Sequence, residues 1–212
     1  MAKKKVSIRQ LERCPTYLRF LVSLRNSGVY TVSSKQIAQM MDCSEEQVRK
    51  DLQLVSPTKA RPGRQRNVVE LIEYLKTFLG YNNINEAIVV GVGHLGGALM
   101  SFKGFRDFGL EIVAGFDIDP TLIGSKVGDK PIYCISNLDE IVDELNIKTA
   151  ILTTPREVSQ EVVNKLVNSG VKAIWNFVPV HVDVPDDVVV ENIDFAASYA
   201  ILSHRINKKR NK

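Results

Sequence analysis

The sequence predicts an α/β chain in two parts, a small basic helical module over residues 1–80 and a larger parallel-sheet unit over residues 81–194, closed by a helix and tail over residues 195–212. Three observations carry this reading. The apolar run Ala87 to Val90 enters a glycine turn, Gly91-Val-Gly-His-Leu-Gly96, and a second apolar run, Ile112 to Phe116, ends on Asp117. Charge is unevenly divided: residues 1–80 hold 15 Lys+Arg against 7 Asp+Glu, residues 81–204 hold 8 against 17, and the last eight residues add five cations. The basic part shows successive helical periods separated by turn signals, then a loop rich in cations. With 212 residues, 44% of them hydrophobic, the chain is long enough to bury a core in each part.

In the basic module, Pro15 to Asn26 places Leu18, Leu21, Val22 and Arg25 on one helical stripe, with Gly28 as a stop. A second helix starts at Ser33-Ser34, turns Ile37, Ala38 and Met41 inward, and ends at the Asp42-Cys43 turn. A third follows at once: Ser44 is its N-cap with Gln47 at the capping-box position, Val48 and Leu52 pack inward, and Gln47, Arg49, Lys50 and Gln53 point out. This is the spacing of a helix-turn-helix. Pro57 forbids continuation, so Ser56 to Asn67 reads as a loop or wing carrying Lys59, Arg61, Arg64 and Arg66 around Pro62-Gly63, able to reach phosphates or a minor groove. Asn67 to Leu79 returns to a helical pattern ended by Gly80, and Tyr81 to Asn85 links to the next unit. A winged helix with this charge is the footprint of a nucleic-acid-binding end; a small helical domain with a solvated basic face is the alternative.

The second unit opens with the strand and turn already described. Gly91 permits the turn, Gly93 lets backbone approach a pyrophosphate, and Gly96 lets the next helix pack close to the sheet, so His94, Leu95 and Gly96 start a helix facing phosphates. Asp117, 21 residues after Gly96, accepts hydrogen bonds from adenine ribose hydroxyls and repels a 2′-phosphate, which favours NAD(H) over NADP(H). Two further strands are expected, Thr149 to Thr153 leading into Thr153-Thr154-Pro155, and Lys172 to Phe177 leading into Asn176-Phe177-Val178-Pro179. In open parallel sheets ligands collect outside the carboxyl ends of the strands at the switch point, so these ends and Ile118 converge on one crevice of a Rossmann-like unit.

No apolar run approaches the roughly 20 residues that span a bilayer, and Met-Ala-Lys-Lys-Lys is followed by no apolar h-region, so no membrane is expected and a cytoplasmic location is. Cys14, Cys43 and Cys134 lack metal or disulfide spacing and read as reduced thiols. An NAD-dependent oxidoreductase is the competing class, but no second domain remains to hold a substrate, and His94, His181 and His204 form no acid–base group, so no catalytic residue is assigned. A CoA-binding regulator is a third class, since CoA-binding domains use a similar glycine loop.

Arg13-Cys-Pro-Thr-Tyr17, Val32-Ser-Ser34, Val48-Arg-Lys-Asp-Leu52, Gly91-Val-Gly-His-Leu-Gly-Gly-Ala-Leu99, Gly104-Phe105, Phe116-Asp-Ile-Asp119, Asn176-Phe-Val-Pro179 and Val184-Pro185, in this order and spacing, resemble the Rex family of bacterial redox-sensing transcriptional repressors over nearly the whole chain. The resemblance implies a homodimer of winged-helix and Rossmann domains with a domain-swapped C-terminal helix. Such a dimer binds a palindromic operator in double-stranded DNA, senses NADH against NAD⁺, and releases DNA when NADH binds. It further implies that Phe195, preceded by Asn192-Ile-Asp194, enters the partner's nicotinamide pocket beside Phe105 and Phe177, and that Asp194 and Arg13 form a switch. By family position and by facing, Gln47 is counted with the DNA-binding residues, Arg49 and Lys50 contact backbone or base edges, Ser33 and Ser34 cap a helix aimed at a phosphate, and the wing cations Lys59, Arg61, Arg64 and Arg66 contact DNA. Three positions depart from the pattern. Phe102 stands where the family has tyrosine and cannot donate a hydroxyl to the switch. His94 replaces asparagine and either touches a phosphate or covers the helix start. The wing is longer and more basic than usual.

Overall fold

The structure is a computed structural model that describes residues 6–56 and 65–210. It divides into two compact units, Met1–Asn83 and Ile84–Lys212. The first contains helices α1 (Ile8–Asn26), α2 (Ser34–Met40), α3 (Glu45–Val55) and α4 (Val68–Leu79). Strands β1 (Thr31–Val32) and β2 (Arg66–Asn67) pair antiparallel. The turn between α2 and α3, with Asp42 at φ 48°, makes the helix-turn-helix, and β1 with β2 forms the base of the wing. The wing cations Lys59, Arg61 and Arg64 lie outside the described residues.

Helix α1 begins at Ile8 rather than at Pro15. Its start is fixed by a capping box, in which Ser7 Oγ accepts from the Gln10 amide at 3.4 Å and Gln10 Oε1 accepts from the Ser7 amide at 3.1 Å. Pro15 therefore sits inside the helix. A mid-helix proline costs about 3 kcal/mol, which is outweighed by burying Cys14, Tyr17, Leu18 and Leu21 from the same helix. They pack with Ile37, Val48, Leu52, Leu71, Ile72 and Leu75, and each large apolar side chain fully buried contributes about 1.5–3 kcal/mol.

The second unit is a seven-stranded sheet of β3 (Asn85–Val90), β4 (Leu110–Asp117), β5 (Lys126–Val127), β6 (Lys130–Cys134), β7 (Thr149–Leu152), β8 (Ala173–Asn176) and β9 (Val189–Asn192). Their order is β5-β6-β4-β3-β7-β8-β9, parallel throughout except for β5. The chain runs outward from β3 through β4 and β6, then crosses back to place β7 on the other side of β3, which makes the β3 end the switch point. Alternation along the strands divides the core. Ile88, Val90, Phe116 and Leu152 face α6 (Leu138–Glu144) and α7 (Ser159–Asn168) on one side. On the other side Val89, Ile112 and Ile151 pack with Met100 of α5 (His94–Ser101). A last helix, α8, spans Phe195–Arg210.

Gly80 ends α4 at φ 77°, and a Cβ there would meet no atom within 4 Å. Gly80→Ala is therefore expected to cost backbone strain alone, about 1–2 kcal/mol, measured by denaturant unfolding.

Candidate functional site

The crevice at the switch point is built by backbone approach. Gly91 has φ 95°, and a Cβ on it would lie 2.7 Å from the Thr153 carbonyl oxygen; one on Gly96 would lie 2.0 Å from the Gly91 carbonyl oxygen. Neither backbone neighbour can yield. Gly93 is different: a Cβ there would meet nothing within 4 Å, and as N-cap of α5 it leaves the first amides of that helix without a side-chain acceptor. Open space over uncapped amides suits an anion such as a pyrophosphate.

Asp117 braces this turn. Its Oδ2 accepts from the Val92 amide at 2.6 Å, and its Oδ1 accepts from the Ile118 and Asp119 amides at 2.7 and 2.9 Å. A carboxylate has about four lone-pair directions, so capacity remains for a ribose hydroxyl. The adjoining cleft, about 590 Å³, is bounded by Gly91, Gly93, Asp117, Ile118, Thr154 and Pro155 and walled by Phe116, Ile135, Val158 and Val162. That volume is in the range of small-molecule sites, and the apolar wall suits a base. His94 and Leu95 are exposed on the first turn of α5 and are not part of the wall.

Two residues read from the sequence as ligand contacts spend their side-chain hydrogen bonds within the protein, although Thr153 also lines the cleft. Thr153 Oγ1 donates to the Gly91 carbonyl at 2.7 Å, beneath the turn. Asn176 is fully buried: its Nδ2 donates to Val180 O at 3.0 Å and Asn192 Oδ1 at 2.8 Å, and its Oδ1 accepts from the Val178 amide at 2.9 Å. Both shape strand ends.

On the opposite face of the sheet an aromatic chain runs from Phe102 to Phe105 (4.9 Å between ring centroids), Trp175 (5.8 Å), Phe177 (4.9 Å) and Phe195 (6.2 Å). Trp175 was missed in the sequence, although it stands two residues before Phe177, on the same side of an extended strand. Asp194 caps α8, its Oδ1 accepting from the Ala197 amide at 2.9 Å. That helix leaves Phe195 59% and Tyr199 68% exposed.

In the first unit the dominant feature is a buried carboxylate. Asp51, 2% exposed, receives Arg13 Nε at 2.7 Å and Nη2 at 2.9 Å, Tyr17 Oη at 2.8 Å and Gln10 Nε2 at 3.2 Å. Burial pushes the Asp51 carboxyl up, but the hydrogen bonds from Arg13, Tyr17 and Gln10, with the guanidinium charge, hold it below the usual carboxylate value. Burial and the same carboxylate drive Cys14 up to about 11, so that thiol stays protonated. Ser33 caps α2 by accepting from the Gln36 amide at 3.2 Å, and Ser34 is buried. On α3, Ser44 accepts from the Gln47 amide at 3.2 Å, Arg49 lies 3.8 Å from Glu45, and exposed Lys50 lies 2.8 Å from Glu46. Such i,i+4 pairs are worth about 0.3–0.5 kcal/mol and open readily toward a phosphate. Arg66 is half-buried on β2.

A helix-turn-helix, carried in one chain with a crevice shaped for a dinucleotide, defines a nucleotide-responsive DNA-binding protein. A CoA-binding domain family matches residues 82–180, and a family described as putative DNA-binding protein N-terminus matches residues 5–53. The redox-sensing transcriptional repressor Rex of Bacteroides thetaiotaomicron is 40% identical over 93% of this chain and 89% of its own. RSP, a Rex-family repressor, has been solved with β-NADH (TM-score 0.88, 32% identity, 98% of this chain and 97% of that one). It has also been solved with β-NAD⁺ and operator DNA (TM-score 0.90, 32% identity, 98% and 95%). The chain belongs to the Rex family of redox-sensing transcriptional repressors.

Gly96→Ala is expected to abolish nucleotide binding, read by calorimetric titration, because its Cβ collides with backbone. For Asp51→Asn, loss of the charged partner of Arg13 is expected to cost about 3–5 kcal/mol near neutral pH. The Asp51 pKa is lowered on folding, so its contribution is complete above the ordinary carboxylate value near pH 4 and lost as pH falls through the folded value. The stability gap between wild type and Asp51→Asn in urea should narrow on acidification; a gap independent of pH would show that charge plays no part.

Proposed function

We propose that this chain is a DNA-binding repressor that senses NADH against NAD⁺ and leaves its operator when NADH occupies the crevice. The observation that carries the reading is the pairing, in one Rex-family chain, of a helix-turn-helix with a glycine turn braced by Asp117. In this reading Gly91, Gly93, His94, Leu95 and Gly96 surround the pyrophosphate, Asp117 takes the adenine ribose, and Ile118 with Thr154 and Pro155 borders the adenine. Thr153 and Asn176 act by holding the backbone that does so. Asp117 also favours NAD(H) over CoA, whose adenosine ribose carries a phosphate that this carboxylate would repel.

The nicotinamide end falls to Phe105, Trp175, Phe177 and a Phe195. Oxidised nicotinamide is a cation. Cation–π attraction returns about 0.5–2 kcal/mol, whereas burying an unpaired charge costs several times that, so a dry aromatic pocket selects the neutral reduced ring. Driving an operator-binding state from 99:1 to 1:99 needs about 5.5 kcal/mol of differential affinity, or about half of that per site in a two-site dimer. The homodimer is formed through α8, exchanged between subunits so that Phe195 of each enters the partner's pocket. Half-sites one helical turn apart are read only when the two recognition helices keep their separation, so a rigid rotation breaks the register.

The switch pairs Arg13 with Asp194. Arg13 is already bidentate on Asp51, and stripping it from a buried carboxylate would cost about 3–5 kcal/mol. In such a switch Asp194 would share the guanidinium rather than remove it. Ser33, Ser34, Gln47, Arg49, Lys50, Arg66 and the wing cations serve the DNA. The protein works in the cytoplasm and turns over no substrate; among the described residues no helix is long and apolar enough to cross a membrane.

The test is fluorescence anisotropy of a labelled palindromic duplex with bound protein, titrated at fixed salt with NADH, NAD⁺ and CoA. Release by NADH at concentrations where the others have little effect is expected. Release by CoA alone, or by none of the three, overturns the reading. Arg49→Ala should lower the slope of log affinity against log salt by about 1 if Arg49 contacts a phosphate.

A further inference from the structure

Arginine carries donors and no acceptor, so whatever side chain faces Arg13 must accept from it. The amide of Gln47 does so: turned with its oxygen toward the guanidinium, it accepts from Arg13 Nε at 3.2 Å and Nη1 at 3.1 Å. The opposite orientation would press its NH₂ against two N–H donors. Arg13 cannot swing away to release the oxygen, because Asp51 grips it at 2.7 and 2.9 Å, and Asp51 is itself buried and held by Tyr17 and Gln10. Gln47 is the third residue of α3 and lines the open groove between the starts of α1 and α3, beside Ser44, Glu46 and Lys50. The first turn of the second helix in a helix-turn-helix is where side chains reach base edges.

We infer that Gln47 determines operator specificity with an amide polarity preset by the Arg13–Asp51 pair, so that it reads a base as a donor only. An unconstrained glutamine reads adenine with both ends, accepting from N6 and donating to N7. With its oxygen committed, Gln47 presents only NH₂. That group suits guanine, whose O6 and N7 both accept, or thymine O4; on adenine only N7 accepts, and the exocyclic amine meets the NH₂ donor to donor. Arg13 and Asp51 are positioning residues in this scheme. The inference rests on the DNA-binding reading above.

The experiment is in vitro selection of preferred duplexes with the full chain. Wild type is compared with Gln47→Met and with an Arg13→Met/Asp51→Leu double variant that replaces the ion pair by apolar volume. Gln47→Met should relax one position of each half-site by about fivefold, leave the salt slope unchanged, and mark a guanine or thymine in the wild-type preference. At that position the double variant, with the amide oxygen released, should shift toward adenine. If the position marked is adenine, or if Gln47→Met relaxes none, the inference is overturned. Should the double variant fail to fold by circular dichroism, wild-type affinity for duplexes carrying 7-deazaguanine or 4-thiothymine at the marked position decides: about fivefold weaker binding supports the inference and unchanged binding overturns it. Wild type that binds no duplex at all removes the DNA-binding reading and this inference together, and is told apart by absent binding rather than altered preference.

Discussion

No side chain fits at Gly91 or Gly96, and the nucleotide unit is organised around that constraint. The end of β3, the start of α5 and the turn after β7 approach so closely that a single Cβ would strike carbonyl oxygen at 2.7 or 2.0 Å. The approach throws the first amides of α5 into open space over Gly93 and brings the Val92 amide within 2.6 Å of Asp117 on the neighbouring strand. One local requirement thus sets where an anion can sit, which carboxylate stands beside it, and why the Thr153 hydroxyl is spent on the Gly91 carbonyl beneath the turn.

The first unit turns on the opposite kind of group, a buried anion in a strongly cationic module. A buried ion pair is poor evidence for stability, since an apolar replacement of equal volume is often as stable. What Asp51 supplies is direction. From α3 it grips Arg13 of α1, the held guanidinium meets Gln47 on α3, and the two helices are registered through polar contacts that tolerate few geometries. Apolar packing through Leu18, Val48 and Leu52 is less directional than these hydrogen bonds, and a helix proposed to read bases gains from the fixed position they give it.

Those two constraints also explain what was legible in the sequence. Glycines that permit close approach are visible as a spacing, and strands buried on both faces are visible as apolar runs, so β3, β4, β7 and β8 and their loop residues could be placed. The strands β5, β6 and β9 are two to five residues long; β5 and β9 are edge strands, and none of the three carries an unbroken apolar run. The start of α1 is hidden because Pro15 reads as a helix start, while the capping box of Ser7 and Gln10 sets the real one and the packing that tolerates the proline is tertiary. Asp51 stood in a quoted motif, but its burial depends on Arg13 and Tyr17, 38 and 34 residues away, and no periodicity records such a meeting. Asn176 shows the converse: a polar residue at a strand end reads as a ligand contact until the turn that absorbs both ends of its amide is seen.

The chemistry of the sensed pair bears on why α8 is so exposed. Two ligands that differ by a hydride differ chiefly in the charge of one ring, and a protein distinguishes them by charge only where water is excluded. A wet site solvates the cation and erases most of the difference. In a single chain the aromatic run ends at Phe195, which is 59% exposed, on a helix whose Tyr199, Ile201 and Leu202 are also open to solvent. In the proposed reading a second copy covering α8 would complete this pocket and dry it. Dimerisation and redox discrimination would then draw on the same buried surface, and a difference of one hydride would reach a pair of recognition helices through it.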